Sequence, residues 1–183
     1  MNDNLPSSMV DMFLANARDQ PDRVVLNYKL EDEWQDLGWG LIARHASRYA
    51  VVLREKGVQA GDRVILVSEN RYEWILVDLA IQLLGAIHVP VHAPLTGHQI
   101  AYQMNDSAAV MAVVSGHEQA SKLNNVELSD QMVLMCFDTD SADRTYGDRP
   151  GTAAGVPDEV RDAIMQERVN NPLETTSVAT ILY

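Results

Sequence analysis

Four short apolar runs, separated by segments of helical periodicity, constrain the fold of this chain more than any other feature. β-branched and apolar residues dominate these runs, which is typical of buried strands. Helical segments lie between them, and the first two open at the capping-box patterns Asn70-x-x-Glu73 and Thr96-x-x-Gln99. The runs cover residues 63–68, 86–91, 109–115 and 131–137. Strands alternating with helices predict an α/β fold, a mainly parallel sheet with helices on its faces.

Further elements are predicted before this alternating region. Met9, Phe13 and Ala17 recur every four residues behind the candidate caps Ser7 and Ser8, which predicts an opening helix. Strand-like runs at 24–28 and 34–37 flank the charged connection 31–33 and predict a small N-terminal hairpin. A helix over 41–56 is expected to end at Gly57.

The last third of the chain is less regular. Asp, Gly, Thr and Pro residues fill positions 138–156, which predicts a long mobile surface loop. A helix from Pro157 through Arg168 is expected to bury Val160 and Ile164. Residues 177–183 predict a final strand.

Composition argues against several classes of partner and location. Acidic residues outnumber basic ones by 26 to 14, so the formal net charge is −12, and such a surface repels nucleic acids and anionic lipids. Cys136 is the single cysteine and lies in an apolar run, so a buried, reduced thiol is expected. The N-terminus has no secretory signal pattern, and polar residues interrupt the most apolar stretch, 74–91. A cytoplasmic protein without a transmembrane segment is predicted.

Candidate chemistry in the sequence is sparse. Gly147, Gly151 and Gly155 cluster, but no Gly-Lys-Ser/Thr follows them, so phosphate binding there is disfavoured.

His88 and His92 could ligate a metal, but four strand residues span roughly 13 Å. A bend at Pro90 and Pro94 could shorten that span, yet no cysteine or carboxylate is expected nearby, so a structural or rim role is favoured.

His45 and His98 are expected to face solvent, while Trp34, Trp39 and Trp74 are expected to pack in the core. No Gly-x-Ser-x-Gly elbow occurs. No catalytic, cofactor-binding or metal-binding residue is assigned from these patterns.

Three motifs occur in a characteristic order and carry a family resemblance. They are Gly-Val-Gln-Ala-Gly-Asp-Arg-Val at 57–64, Ser-Glu-Asn-Arg-Tyr-Glu-Trp at 68–74 and Leu-Gly-Ala-Ile-His-Val-Pro-Val at 84–91, and the match continues through 95–107. The series resembles the N-terminal region of adenylate-forming (AMP-binding) acyl-CoA synthetases, particularly the long-chain fatty acid CoA ligases. Nearly the whole chain takes part, and 138–156 is the least family-like segment.

The resemblance implies an enzyme class together with an incomplete site. Intact relatives convert ATP, a fatty acid and coenzyme A into acyl-CoA, AMP and pyrophosphate, with Mg²⁺. Their phosphate-binding loop, rich in Thr, Ser and Gly and ending in Pro-Lys-Gly, follows a strand resembling 178–183. Residues 1–183 are therefore expected to be the N-terminal portion of an AMP-binding domain, truncated before that loop and inactive alone. None of ATP, Mg²⁺ and coenzyme A is expected to be held by this span, and its partner would be the missing C-terminal part of the same enzyme.

Two other hypotheses stay open at this point. The chain could be a non-catalytic binding or scaffold module, or part of a ligase for another carboxylic acid, because the acid-binding pocket of the family lies beyond Tyr183.

Overall fold

The computed structural model describes residues 8–128, 132–137, 156–174 and 177–183. The predicted loop at 138–156 lies outside the described residues except for Val156, and so do the glycines 147, 151 and 155.

The N-terminal third forms a helix, a hairpin and a long helix, as predicted. Helix α1 (Met9–Asp19) begins at Ser8, whose hydroxyl accepts a hydrogen bond from the Asp11 backbone N–H at 3.2 Å. Strands β1 (Val24–Leu30) and β2 (Glu33–Gly38) pair antiparallel. Helix α2 (Trp39–Glu55) follows, and the chain then turns at Gly57, whose φ of +99° favours glycine.

A four-stranded parallel sheet forms the centre of the molecule and confirms the α/β prediction. Its order is β4-β3-β5-β6. The strands are β3 (Arg63–Ser68), β4 (Ile87–His92), β5 (Met111–Val114) and β6 (Val133–Cys136). The remaining helices are α3 (Tyr72–Leu83), α4 (Gly97–Asp106), α5 (His117–Lys122) and α6 (Asp158–Asn170).

Strand β3 contributes to an apolar core on each face of the sheet. Val64 and Leu66 pack with residues of α1, α2, α3 and α6 on one face, whereas Ile65 and Val67 pack with residues of α4 and α5 on the other. All four side chains are fully buried. Cys136 is buried in the second core, as predicted.

The segment predicted as a final strand makes only one bridge. Thr180 pairs with His88 of β4 in parallel orientation. The His88 backbone donates to Ala179 O at 2.9 Å and accepts from Ile181 N at 2.9 Å. The segment therefore lies along the edge of β4 without forming an extended ladder.

Two predicted core positions are wrong. Trp34 is 71% exposed, because it lies opposite Lys29 on the outer side of the hairpin. Val160 is 45% exposed. The buried face of α6 instead runs through Arg161 and Ile164. Trp39 and Trp74 are half-buried and pack against the first core, so the prediction holds for them in part.

Candidate functional site at the carboxyl edge of the sheet

The connections of β3 and β5 diverge, and this divergence marks the crevice where open α/β sheets usually bind ligands. After β3 the chain passes through α3 to β4 on one side, whereas after β5 it passes through α5 to β6 on the other. Because α3 and α5 pack on opposite faces of the sheet, the crevice opens between the carboxyl ends of β3 and β5. Glu69 and Ser115 are the first residues beyond those ends.

The Glu69 carboxylate bridges this crevice by accepting hydrogen bonds from Ser115, at the end of β5, and from Gln119 of α5. Glu69 accepts from the Ser115 hydroxyl through Oε2 and from Gln119 Nε2 at 2.5 Å through Oε1. Lys122 Nζ donates to Gln119 Oε1 at 2.9 Å and to Ala93 O at 2.5 Å. Ser115 and Gln119 are buried, while Glu69 itself is exposed. The network joins the ends of β3, β4 and β5.

The hydrogen bonds favour the ionised form of Glu69. Partial burial acts to raise the pKa of Glu69. The bonds from Ser115, its own backbone and Gln119, together with the charge of Arg71, outweigh that effect, so the pKa lies below its ordinary value. Glu69 is therefore a poor general base at neutral pH. Within the described residues, its contacts link the end of β3 to Ser115 and Gln119.

Arg71 ties the end of β6 to the same edge. Its guanidinium pairs with Glu73 at 2.7 and 2.9 Å, donates from Nη1 to Ser115 O at 3.1 Å, and lies 5.3 Å from the Phe137 ring centroid. The predicted Asn70-x-x-Glu73 capping box is wrong, because Arg71 is the N-cap of α3 and caps with no side-chain hydrogen bond. The Glu73 carboxylate that would close the box is held by Arg71 instead.

Two tyrosines beside this edge are held in their neutral form. Burial, the Glu73 charge and the neighbouring Tyr28 are the main causes that raise the pKa of Tyr72 to about 12. Burial is also the largest cause of the raised pKa of Tyr49, whose ring packs edge-on against Phe137. Tyr72 stacks on Tyr28 with ring centroids 4.1 Å apart. These phenols can donate hydrogen bonds but are not available as bases at neutral pH.

The two histidines considered as metal ligands have different environments. His88 is 1% exposed, and its Nδ1 lies 2.8 Å from Asp78 Oδ1, to which Gln82 also donates at 3.1 Å. The expectation that no carboxylate lies near His88 is therefore wrong. Its Nε2 is buried and has no hydrogen-bond partner among the described residues, and Trp74 packs against the ring. His92 is exposed at the end of β4.

Metal-binding groups do not converge in the part of the chain that the structure describes. No three His, Cys, Asp or Glu side chains come together there as ligands would. His98 is exposed as predicted, but His45 is half-buried. Burial, followed by the charges of Arg48 and Arg44, lowers the pKa of His45.

Comparison with known proteins identifies the family. The family model described as "AMP-binding enzyme" matches residues 13–183. The chain belongs to the AMP-binding enzyme family. The resemblance seen in the sequence is thereby confirmed at the level of the family.

Two relatives of this AMP-binding family chain are fatty acid ligases by name. Long-chain-fatty-acid–CoA ligase FadD15 of Mycobacterium bovis is 36% identical over 100 residues, 55% of this chain and 17% of that protein. Medium/long-chain-fatty-acid–acyl-carrier-protein ligase FadD10 of Mycobacterium tuberculosis is 32% identical over 119 residues, 64% of this chain and 22% of that protein. The chain thus spans about a fifth of the length of these relatives.

A solved structure supports the same fold. The acyl-CoA synthetase of Brucella canis superposes with a TM-score of 0.69 at 20% identity, covering 79% of this chain and 27% of that one. Across the described ranges of this AMP-binding family chain, every helix is too short or too polar to cross a bilayer. The cytoplasmic location stays a prediction.

Proposed function

We propose that this chain is the N-terminal portion of an AMP-forming long-chain fatty acid CoA ligase. The observation that carries the proposal is the family match over residues 13–183, together with the similarity to FadD15. The reaction has two steps. A fatty acid carboxylate attacks the α-phosphorus of ATP and releases pyrophosphate, and the thiol of coenzyme A then attacks the acyl-adenylate carbonyl and releases AMP.

We propose that residues 1–183 serve as scaffold in this reaction and are inactive alone. Adenylation needs donors and cations that stabilise the charge on the transferring phosphate. At the carboxyl edge, the Ser115 and Gln119 side chains already donate to Glu69, and Arg71 is paired with Glu73. A triphosphate fits poorly beside the Glu69 carboxylate. Residues beyond Tyr183 would therefore bind ATP, Mg²⁺ and coenzyme A.

A second candidate is a ligase with a different acid or acceptor. The FadD10 match extends over a longer stretch than the FadD15 match, and the name of FadD10 gives medium to long chains as acids and a carrier protein as acceptor. Because the acid pocket is proposed to lie beyond Tyr183, the same scaffold serves either reaction.

Two experiments test these proposals. The first is to sequence the coding DNA past the codon for Tyr183, and the second is to assay the encoded protein with coenzyme A and with a carrier protein as acceptor. We expect an in-frame Thr/Ser/Gly-rich loop ending in Pro-Lys-Gly. The extended protein should then exchange radioactive pyrophosphate into ATP when a long-chain acid is present, whereas the 183-residue chain should not. Parallel reactions with octanoate, and with a carrier protein replacing coenzyme A, separate the second candidate. A stop codon after Tyr183 would favour the non-catalytic scaffold module, and exchange by the short chain would refute its inactivity.

A further inference from the structure

A groove of about 750 Å³ lies between α1, α2 and α6. We call it the three-helix groove. Its apolar lining comes from all three helices: Leu14, Ala15, Ala17, Ala43, Met165 and Val169. Three of these six residues are alanines, so the space is left by short side chains on facing helices. The volume lies within the range of small-molecule sites. None of the lining residues belongs to the Glu69 network.

Charged side chains line the groove, and most of them are already paired. The buried Arg161 guanidinium contacts Asp162 at 3.0 Å and also Asp158 at 2.7 Å. Arg18 pairs with Asp19 at 2.7 Å, and the Asp11 carboxylate accepts from the Ser8 hydroxyl at 2.8 Å.

Arg44 is the exception among these groups. It lines the groove and is exposed. Within the described ranges no carboxylate lies at ion-pair distance from it. The groove therefore combines an apolar lining with one guanidinium, that of Arg44, that has no carboxylate partner within the described ranges, while the Asp11 carboxylate at the same groove accepts from the neutral Ser8 hydroxyl.

We propose that the three-helix groove binds a free fatty acid, with its carboxylate on Arg44 and its acyl chain along the apolar lining. A guanidinium matches a carboxylate in charge and in planar geometry. An acyl chain gains affinity from each methylene that leaves water. One unpaired guanidinium fits a single carboxylate better than a phosphate cluster. This binding site requires no catalysis and is independent of the proposed ligase function.

Titration calorimetry on the 183-residue chain tests the proposal directly. Octanoate, decanoate and dodecanoate are added below the concentrations at which they form micelles. We expect one site per chain and an affinity that rises roughly fourfold for each methylene, which corresponds to about 0.8 kcal/mol per buried CH₂. Dodecyltrimethylammonium, which has a similar chain and the opposite charge, should bind at least tenfold more weakly than dodecanoate.

Substitutions on facing walls of the groove test whether dodecanoate binds inside it. Ala15→Trp on α1 and Gln166→Trp on α6 fill the space from opposite sides, and each should weaken dodecanoate binding more than tenfold. Ala163→Trp is the matched control, because Ala163 is exposed on the same helix but does not line the groove. It should change the affinity less than twofold.

A charge substitution tests the position of the carboxylate. Arg44→Gln should weaken dodecanoate binding about two- to fivefold, as expected for the loss of an exposed ion pair. Arg23→Gln removes an exposed arginine outside the groove and should leave the affinity unchanged. Circular dichroism melts confirm that each variant is folded.

Three outcomes would overturn the proposal. The first is that the wild-type chain does not bind dodecanoate. The second is that Ala15→Trp and Gln166→Trp bind as tightly as wild type, which would place the ligand elsewhere. The third is a concentration-dependent dimer in sedimentation that Ala15→Trp abolishes, which would assign the groove to a second copy of the chain.

Discussion

Gly85 combines a left-handed backbone with close contact to a side chain from the far end of the chain. Its φ is +71°, and a Cβ built there would lie 2.8 Å from Arg168 Nη2. Gly85→Ala should lower the free energy of unfolding by about 1–2 kcal/mol for the left-handed conformation, with a further loss because Arg168 must move. Urea denaturation followed by circular dichroism measures the change.

Gly61→Ala is the control for the backbone component alone. Gly61 also has a positive φ, +84°, but a Cβ added there would have nothing within 4 Å. Its substitution should therefore cost less than that of Gly85. Equal losses for the two variants would mean that Arg168 moves aside freely.

The Glu69 network should make stability depend on pH in the acid range. The pKa of Glu69 in the folded state lies below its ordinary value of 4.5. As the pH falls, the unfolded chain therefore takes up the proton at a higher pH than the folded chain does. The contribution of Glu69 to stability is present above pH 4.5 and is lost as the pH falls through the folded-state pKa. Wild type should therefore lose more stability than Glu69→Gln between about pH 7 and about pH 3.5 in urea melts. Glu55→Gln, at an exposed helix end, should retain the wild-type pH dependence.

Single residues show why some sequence predictions were wrong. Trp34 and Leu37 are three apart in a strand, and side chains three apart point to opposite faces. Leu37 is buried, so Trp34 faces outward, and a prediction from ring size alone missed this constraint. Val160 has the right spacing to Ile164, but Arg161 takes the buried position because Asp158 and Asp162 pair with its guanidinium.

At the scale of elements, two similar capping patterns have different outcomes. The Thr96–Gln99 box at α4 is formed on both sides, whereas Asn70 makes no cap at α3. Thr96→Ala should cost about 1 kcal/mol of stability, and Asn70→Ala should cost only a few tenths. Thermal or urea unfolding of the two variants measures the difference. A loss at Asn70 as large as that at Thr96 would contradict the Arg71 cap.

In addition to the core packing of Ile164, helix α6 makes two polar contacts with the rest of the molecule, one through a partly buried arginine and one through an exposed ion pair. Arg168 Nε donates to Leu83 O at the end of α3 at 3.0 Å, while Arg54 and Glu167 pair at 2.9 Å with both side chains well exposed. Arg168→Met should cost about 1.5–3 kcal/mol, because it leaves a helix carbonyl without its charged donor. Arg54→Met should cost less than about 1 kcal/mol. Hydrogen exchange within α6 reports both changes, and similar exchange in the two variants would argue against the Arg168 contact.

At the scale of the whole molecule, the fold was predictable and the candidate site was not. Alternating strand and helix patterns, with glycines at turns such as Gly57, are local signals, and they predicted the parallel sheet. Glu69 meets Ser115 and Gln119 across 46 and 50 residues of chain, and no local spacing indicates that contact. The available signal was that Glu69 directly follows the predicted strand 63–68 and that Ser115 ends the predicted strand 109–115, because parallel strands present their carboxyl ends at one edge.

Because β3 lies between both cores, the described domain should unfold as one cooperative unit. Ile65 is fully buried in the core that contains Cys136, whereas Trp39 and Trp74 pack against the opposite core. Ile65→Ala should cost about 2–5 kcal/mol and shift two signals together: tryptophan fluorescence and the reaction of Cys136, the single cysteine, with a thiol reagent. Leu66→Ala, which opens a cavity on the tryptophan side, should shift the same two signals. If Ile65→Ala exposed the thiol while the fluorescence transition stayed at its wild-type midpoint, the two faces would be separate folding units, and β3 would not couple them.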